Sequence, residues 1–141
     1  MIAELARPEI DDLLRAQVVA RLGCHAGGET YVVPVFYAYD GEALYVATRE
    51  GRKVDMLREN PAVVAEVDEY DDDTGSWRSA IVRGRYEELG GADAERGLAL
   101  LREAFARRRP GREPRRPPPG QAPPVVFRVV VDEATGRAVR R

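Results

Sequence analysis

The most restrictive feature of this sequence is a pair of β-type runs joined by too few residues to do anything but fold back. Tyr31-Val-Val-Pro-Val-Phe-Tyr-Ala-Tyr39 is rich in β-branched and aromatic residues, Asp40-Gly41 is a strong two-residue hairpin signal, and Leu44-Tyr-Val-Ala-Thr48 follows. Parallel neighbours need a crossover of a dozen or more residues, so connections this short predict antiparallel pairing. Four more β-type runs carry the same message: Val18 to Cys24, Ala62 to Val67, Trp77 to Leu89 with Gly84 as a bulge, and Val125 to Val131. Glu133 to Gly136 then reads as a turn into a polar tail. Pro34 has no N–H for a ladder, which puts the first run on an edge or at an interruption.

Three helices fit between these strands. Pro8 to Gln17 places Ile10, Leu13 and Leu14 on one face; Gly51 to Glu59 ends at Asn60-Pro61; a third runs from an Asp93 N-cap to about Arg107 with Ala94, Leu98, Leu101 and Phe105 as its stripe. The expected fold is mainly β (α+β), a six-stranded antiparallel barrel with flanking short helices, filling 1–141 as a single domain. Arg107 to Pro124 lacks apolar periodicity and is expected to be a flexible Arg/Pro-rich loop. No apolar run approaches the roughly 20 residues of a membrane-spanning helix, and the N-terminus lacks a signal-peptide pattern, so a cytoplasmic location is expected.

Several chemistries are excluded or disfavoured by what is present. Cys24 is the single cysteine, which rules out an intrachain disulfide and a thiolate-rich metal site. Asp68 to Gly75 is acidic but lacks Ca²⁺-loop spacing, so it reads as solvated charge, and no metal site is expected. No glycine-rich phosphate loop follows a strand. A net charge of −2 gives no global attraction to nucleic acid; the arginines of Arg107 to Arg116 lack interleaved aromatics, and a solvated loop explains them. His25 is assigned a surface or structural role.

One stretch does suggest chemistry. Tyr45 to Pro61 takes an apolar strand through a polar turn into a short helix, and the unpaired amides and macrodipole of a helix start favour an anion where Arg52 and Lys53 also point. Thr48 adds a hydroxyl donor. Lys53 is the only lysine among 22 basic residues, and its compact ammonium suits a point contact to phosphate. A plain charged helix start accounts for the same residues.

Three motifs in order resemble the pyridoxamine 5′-phosphate oxidase-like family of flavin-binding split β-barrels, in particular its small nitroimidazole-resistance-type branch. Tyr31-Val-Val-Pro-Val-Phe-Tyr is similar to the family strand beside the isoalloxazine ring, with Val33, Pro34 and Val35 matching. Leu44 to Pro61 resembles the phosphate-gripping segment, on which Thr48, Arg49, Gly51, Arg52 and Lys53 fall. Trp77-Arg-Ser, with Val82-Arg-Gly-Arg-Tyr after it, is similar to the strand that approaches the flavin, placing Trp77, Arg78 and Ser79 at the cofactor. The resemblance implies a split barrel, FMN as cofactor, and a homodimer whose partner completes each site. It implies an FMN-dependent oxidoreductase acting on a small molecule, with no catalytic side chain assigned. A deazaflavin F420 reductase or a non-catalytic flavin sensor or carrier are the alternatives on the same fold. Ala47 stands where many nitroimidazole-resistance-type members carry histidine, and the substrate-phosphate residues of true pyridoxamine phosphate oxidases are not recognisable.

Overall fold

The computed structural model describes residues 1–113 and 119–141. Its strands are β1 (Ala3–Glu4), β2 (Val19–Ala26), β3 (Glu29–Phe36), β4 (Ala38–Tyr39), β5 (Ala43–Thr48), β6 (Ala62–Tyr70), β7 (Trp77–Leu89) and β8 (Val125–Val139). The helices are α1 (Arg7–Ala16), α2 (Arg52–Glu59) and α3 (Gly91–Arg108). All pairings are antiparallel, in the order β3-β2-β6-β7-β8-β5-β4, with β1 added on β8. The sheet curls until β3 touches β5, giving the split barrel. Leu22, Val46, Leu57, Val67 and Phe127 lie fully inside it, with Leu13 and Leu14 of α1.

The expected six strands become eight for identifiable reasons. The run Tyr31 to Tyr39 divides at Tyr37, whose amide donates to the Val18 carbonyl (2.9 Å) and whose hydroxyl donates to the Leu14 carbonyl (2.6 Å). That turns the chain out of β3 and into the separate β4. The second extra strand, β1, exists because β8 does not stop at Val131. It continues through the supposed turn at Glu133–Gly136, pairing with β7 as far as Val139 and offering Arg137 and Ala138 to β1. Gly136 gives α1 and the end of β1 room there, since a Cβ would stand 3.0 Å from both Ile10 and Leu5. The hairpin connection holds three residues, not two: Asp40, Gly41 and Glu42, with the Asp40 carboxylate accepting the amides of Glu42 and Ala43 at 2.9 Å each.

Two features of the long β7 and of α3 shape everything else. β7 and β8 change register between Arg83 and Gly84, the predicted bulge. A Cβ on Gly84 would lie 2.3 Å from the Val130 carbonyl oxygen, so only glycine permits the close crossing. α3 starts at Gly91 with Gly90 as N-cap, which makes Asp93 a first-turn residue and not the cap. Its buried face is Gly97, Leu101 and Ala104, shifted from the predicted stripe because the missing side chain at Gly97 lets Tyr45 and Val126 approach. Of the Arg/Pro-rich stretch expected as a loop, residues 114–118 lie outside the described residues; the described flanks beyond Arg108 form neither helix nor strand. Among the described residues no helix is long and apolar enough to cross a membrane.

Candidate cofactor-binding site

The predicted site residues fall into three groups, each positioned by the sheet. Val33, Pro34 and Val35 lie on β3, which among the described residues has only β2 as a sheet neighbour, so the proline occupies an edge strand as anticipated. Their side chains alternate. Val35 is buried and Val33 packs against the core, while Pro34 is exposed on the outer face opposite Arg21. A ligand lying along this edge therefore meets backbone and the proline ring, not the two valines.

The second group surrounds the start of α2. Thr48, at the end of β5 opposite Val125, delivers the chain through Arg49 and Glu50 to Gly51, the N-cap. Gly51 has extended backbone and no side chain to cap the first turn, so the amides of that turn have no side-chain cap. Asp55 closes the first helical hydrogen bond to the Gly51 carbonyl at 3.0 Å. Arg49 is exposed and donates to Gln121 at 2.5 Å; Lys53 is half-buried. Arg52 stacks over the Tyr31 ring, 5.2 Å from its centroid, and pairs with Glu29. Its charge opposes, without cancelling, the upward push that burial gives the Cys24 thiol, which stays an inert protonated group. The helix itself is fixed by Val54 and Leu57 in the core and by Arg58, which bridges Glu50 and Glu88.

The third group opens β7. Trp77 sits between Tyr70 and Val139, and Ser79 between Asp68 and Arg137. Arg78 donates to Glu69 at 3.0 Å, and Glu69 also accepts from Gln17 at 2.8 Å. Ser79, Ile81, Thr135, Gly136 and Arg137 line a cavity of about 270 Å³. Arg137 escaped the sequence reading because residues 133–136 look like a turn; the alternation of buried Gly136 and Ala138 with exposed Thr135 and Arg137 is the period-two signal that identifies the strand. Glu29 escaped for a different reason, since nothing local links it to Arg52.

The second and third groups do not converge within one chain. Thr48 pairs with Val125 at the first residue of β8, and Trp77 pairs with Val139 at the last. β8 is 15 residues long, a path of about 45 Å at about 3.3 Å per residue. Coiling shortens the straight-line distance but leaves the two groups at opposite ends of the same strand. His25 is exposed, with Nδ1 3.1 Å from the Thr30 hydroxyl, and its carbonyl accepts from Asn60 at the C-cap of α2 at 2.8 Å, next to the Glu29 and Tyr31 that engage Arg52. No cluster of acidic, histidine or cysteine side chains suited to a metal ion occurs among the described residues.

The pyridoxamine 5′-phosphate oxidase family model matches residues 6–138, nearly the whole chain. The chain belongs to the pyridoxamine 5′-phosphate oxidase-like family. An uncharacterized protein of Rhizobium meliloti (strain 1021) is 34% identical over 143 residues, covering 95% of this chain and 93% of that protein. Among solved structures, an FAD-binding protein from Mesorhizobium loti is 30% identical with a TM-score of 0.80, covering 100% of this chain and 98% of that one. A candidate 5-nitroimidazole antibiotic resistance protein from Bacteroides thetaiotaomicron shares the fold, with a TM-score of 0.77 at 21% identity and coverage of 98% and 89%.

Proposed function

We propose that this family member is an FMN-binding oxidoreductase that works as a homodimer in the cytoplasm, with each cofactor held between the α2 start of one protomer and the β7 start of its partner. The observation that carries the reading is the donor set at Thr48 to Lys53: a hydroxyl, three cations and an uncapped helix start following a strand end. That is the chemistry a phosphate monoester needs. The residues fit the group. Arg52 and Lys53 would hold the phosphate, and the β3 edge at Pro34 would lie along the flat ring. The bound flavin supplies hydride or single-electron chemistry. This chain's own residues bind and orient: Arg52 and Lys53 balance the phosphate charge, and Trp77 and Ser79 of the second protomer would exclude water from the ring and offer it a hydroxyl.

The separation of the two groups along β8 supports the dimer, since one chain alone leaves each half-site unfilled. The outer sheet face supports it too. Val19, Phe36 and Val32 share that face across β2 and β3, exposed by 44%, 38% and 64%, and a second copy would cover them.

Three measurements test the reading. Mass analysis of ligand extracted from the purified protein distinguishes FMN from FAD, which the Mesorhizobium relative binds, and from F420; FMN is expected. Complementation tests the shared site: a protomer carrying Arg52→Ala and Lys53→Ala is mixed with one carrying Ser79→Trp, each nearly devoid of FMN alone. Random exchange leaves one intact site per heterodimer, so binding should return to about a quarter of all sites. No recovery on mixing would place both groups' contributions within single chains and refute the shared site. Turnover of NAD(P)H with quinones or nitroaromatics separates an enzyme from a flavin carrier.

A further inference from the structure

The guanidinium at the first position of α2 is engaged by an acid from the turn that joins β2 to β3. Gly27 and Gly28 turn β2 into β3 with left-handed φ values of 58° and 78°, and Glu29 is the first residue after them. Its carboxylate takes Arg52 Nη2 while the Tyr31 ring underlies the same guanidinium. Both partners are more than half exposed, at 62% for Glu29 and 56% for Arg52. Exposed pairs of this kind contribute little to stability and yield readily to another anion.

We propose that Glu29 is a competing anion that sets cofactor affinity: its carboxylate occupies Arg52 until a phosphoester arrives and displaces it. The inference rests on the reading that the α2 start receives the flavin phosphate. A carboxylate and a phosphate seek the same guanidinium N–H groups, and two anions on one guanidinium repel each other. Glu29 is free to act this way because its strand is an edge and its turn carries no side chains. Glu50 provides the internal contrast. It lies in the same strand-to-helix turn, but its two oxygens accept from Arg58 at 2.7 Å and 3.0 Å, so its charge is already matched away from the helix start.

The test is titration of FMN, and separately of inorganic phosphate, into the full-length chain and its Glu29→Gln, Glu50→Gln, Arg52→Gln and Glu29→Gln/Arg52→Gln variants. Glu29→Gln should tighten FMN by about three- to tenfold, with phosphate following in the same direction. Glu50→Gln should change FMN affinity by less than about twofold, and the Glu29 effect should vanish in the Arg52→Gln background. Unchanged or weaker binding by Glu29→Gln overturns the proposal, as does an equal gain from Glu50→Gln, which would reduce the effect to general charge. FMN bound equally by wild type and Glu29→Gln removes this inference alone. FMN bound by none of the proteins removes the flavin reading and this inference with it.

Discussion

The two halves of the candidate site are built by opposite means. At the start of α2 the donors are exposed or half-buried side chains and uncapped amides on a turn, and the principal cation is held by a surface carboxylate. At the start of β7 the side chains stand in the middle of a continuous sheet, with Ser79 fixed by strands on both sides. The first half can adjust to an anion; the second presents a fixed shape. Affinity should therefore be tunable at α2 at little cost in stability, whereas changes near β7 should act through the fold.

The largest effect expected is on what the halves share. Gly84 lies between them on β7, and Gly84→Ala would drive a methyl into the Val130 carbonyl region. A loss of about 3 kcal/mol or more is expected in urea unfolding, with both halves displaced together. A loss below about 1 kcal/mol would mean the bulge can relax and the halves are not rigidly coupled. Next, Arg52→Ala with Lys53→Ala should weaken FMN by about 3 kcal/mol, roughly a hundredfold, while leaving the thermal midpoint almost unmoved. A matching drop in the midpoint would show that the α2 cations serve the fold as much as the ligand, and the contrast would fail.

The smallest effect sits on the strand-built half. Glu66, on β6 opposite Ile81 of β7, is pushed up to about 7 from an ordinary 4.5 by burial and by the neighbouring Asp68 carboxylate, against the pull of Arg21, which bonds both acids. Between about pH 4.5 and 7 the folded chain keeps a proton that the unfolded chain has released, so this residue makes stability fall as pH rises through that window. Glu66→Gln should raise stability by about 1 kcal/mol at pH 8 and by nothing at pH 4. An equal gain at both pH values would assign the effect to packing.

Much of this architecture was legible because its signals are local. Asn60-Pro61 ends α2, Gly84 bulges and Pro34 sits on an edge, each for reasons contained within a few residues. What escaped was decided by contacts distant in sequence. Tyr37 breaks its strand only because Leu14 and Val18 await its polar groups. Residues 133–139 form a strand only because β7 supplies a partner along their length and α1 covers Gly136. The site divides in the same way. Thr48, Arg52 and Lys53 could be found from one turn, whereas Glu29 and Arg137 become candidates only once the hairpin and the long strand are folded.

Pro34 has one further consequence. An edge strand is a template on which another chain can extend the sheet without limit, and a proline in its middle withholds an N–H that such an addition would use. With Val32, Phe36 and Val19 exposed beside it, β3 would otherwise combine an open rim with an apolar surface. Replacing Pro34 with valine would leave the barrel intact, and the failure to look for is concentration-dependent fibril growth.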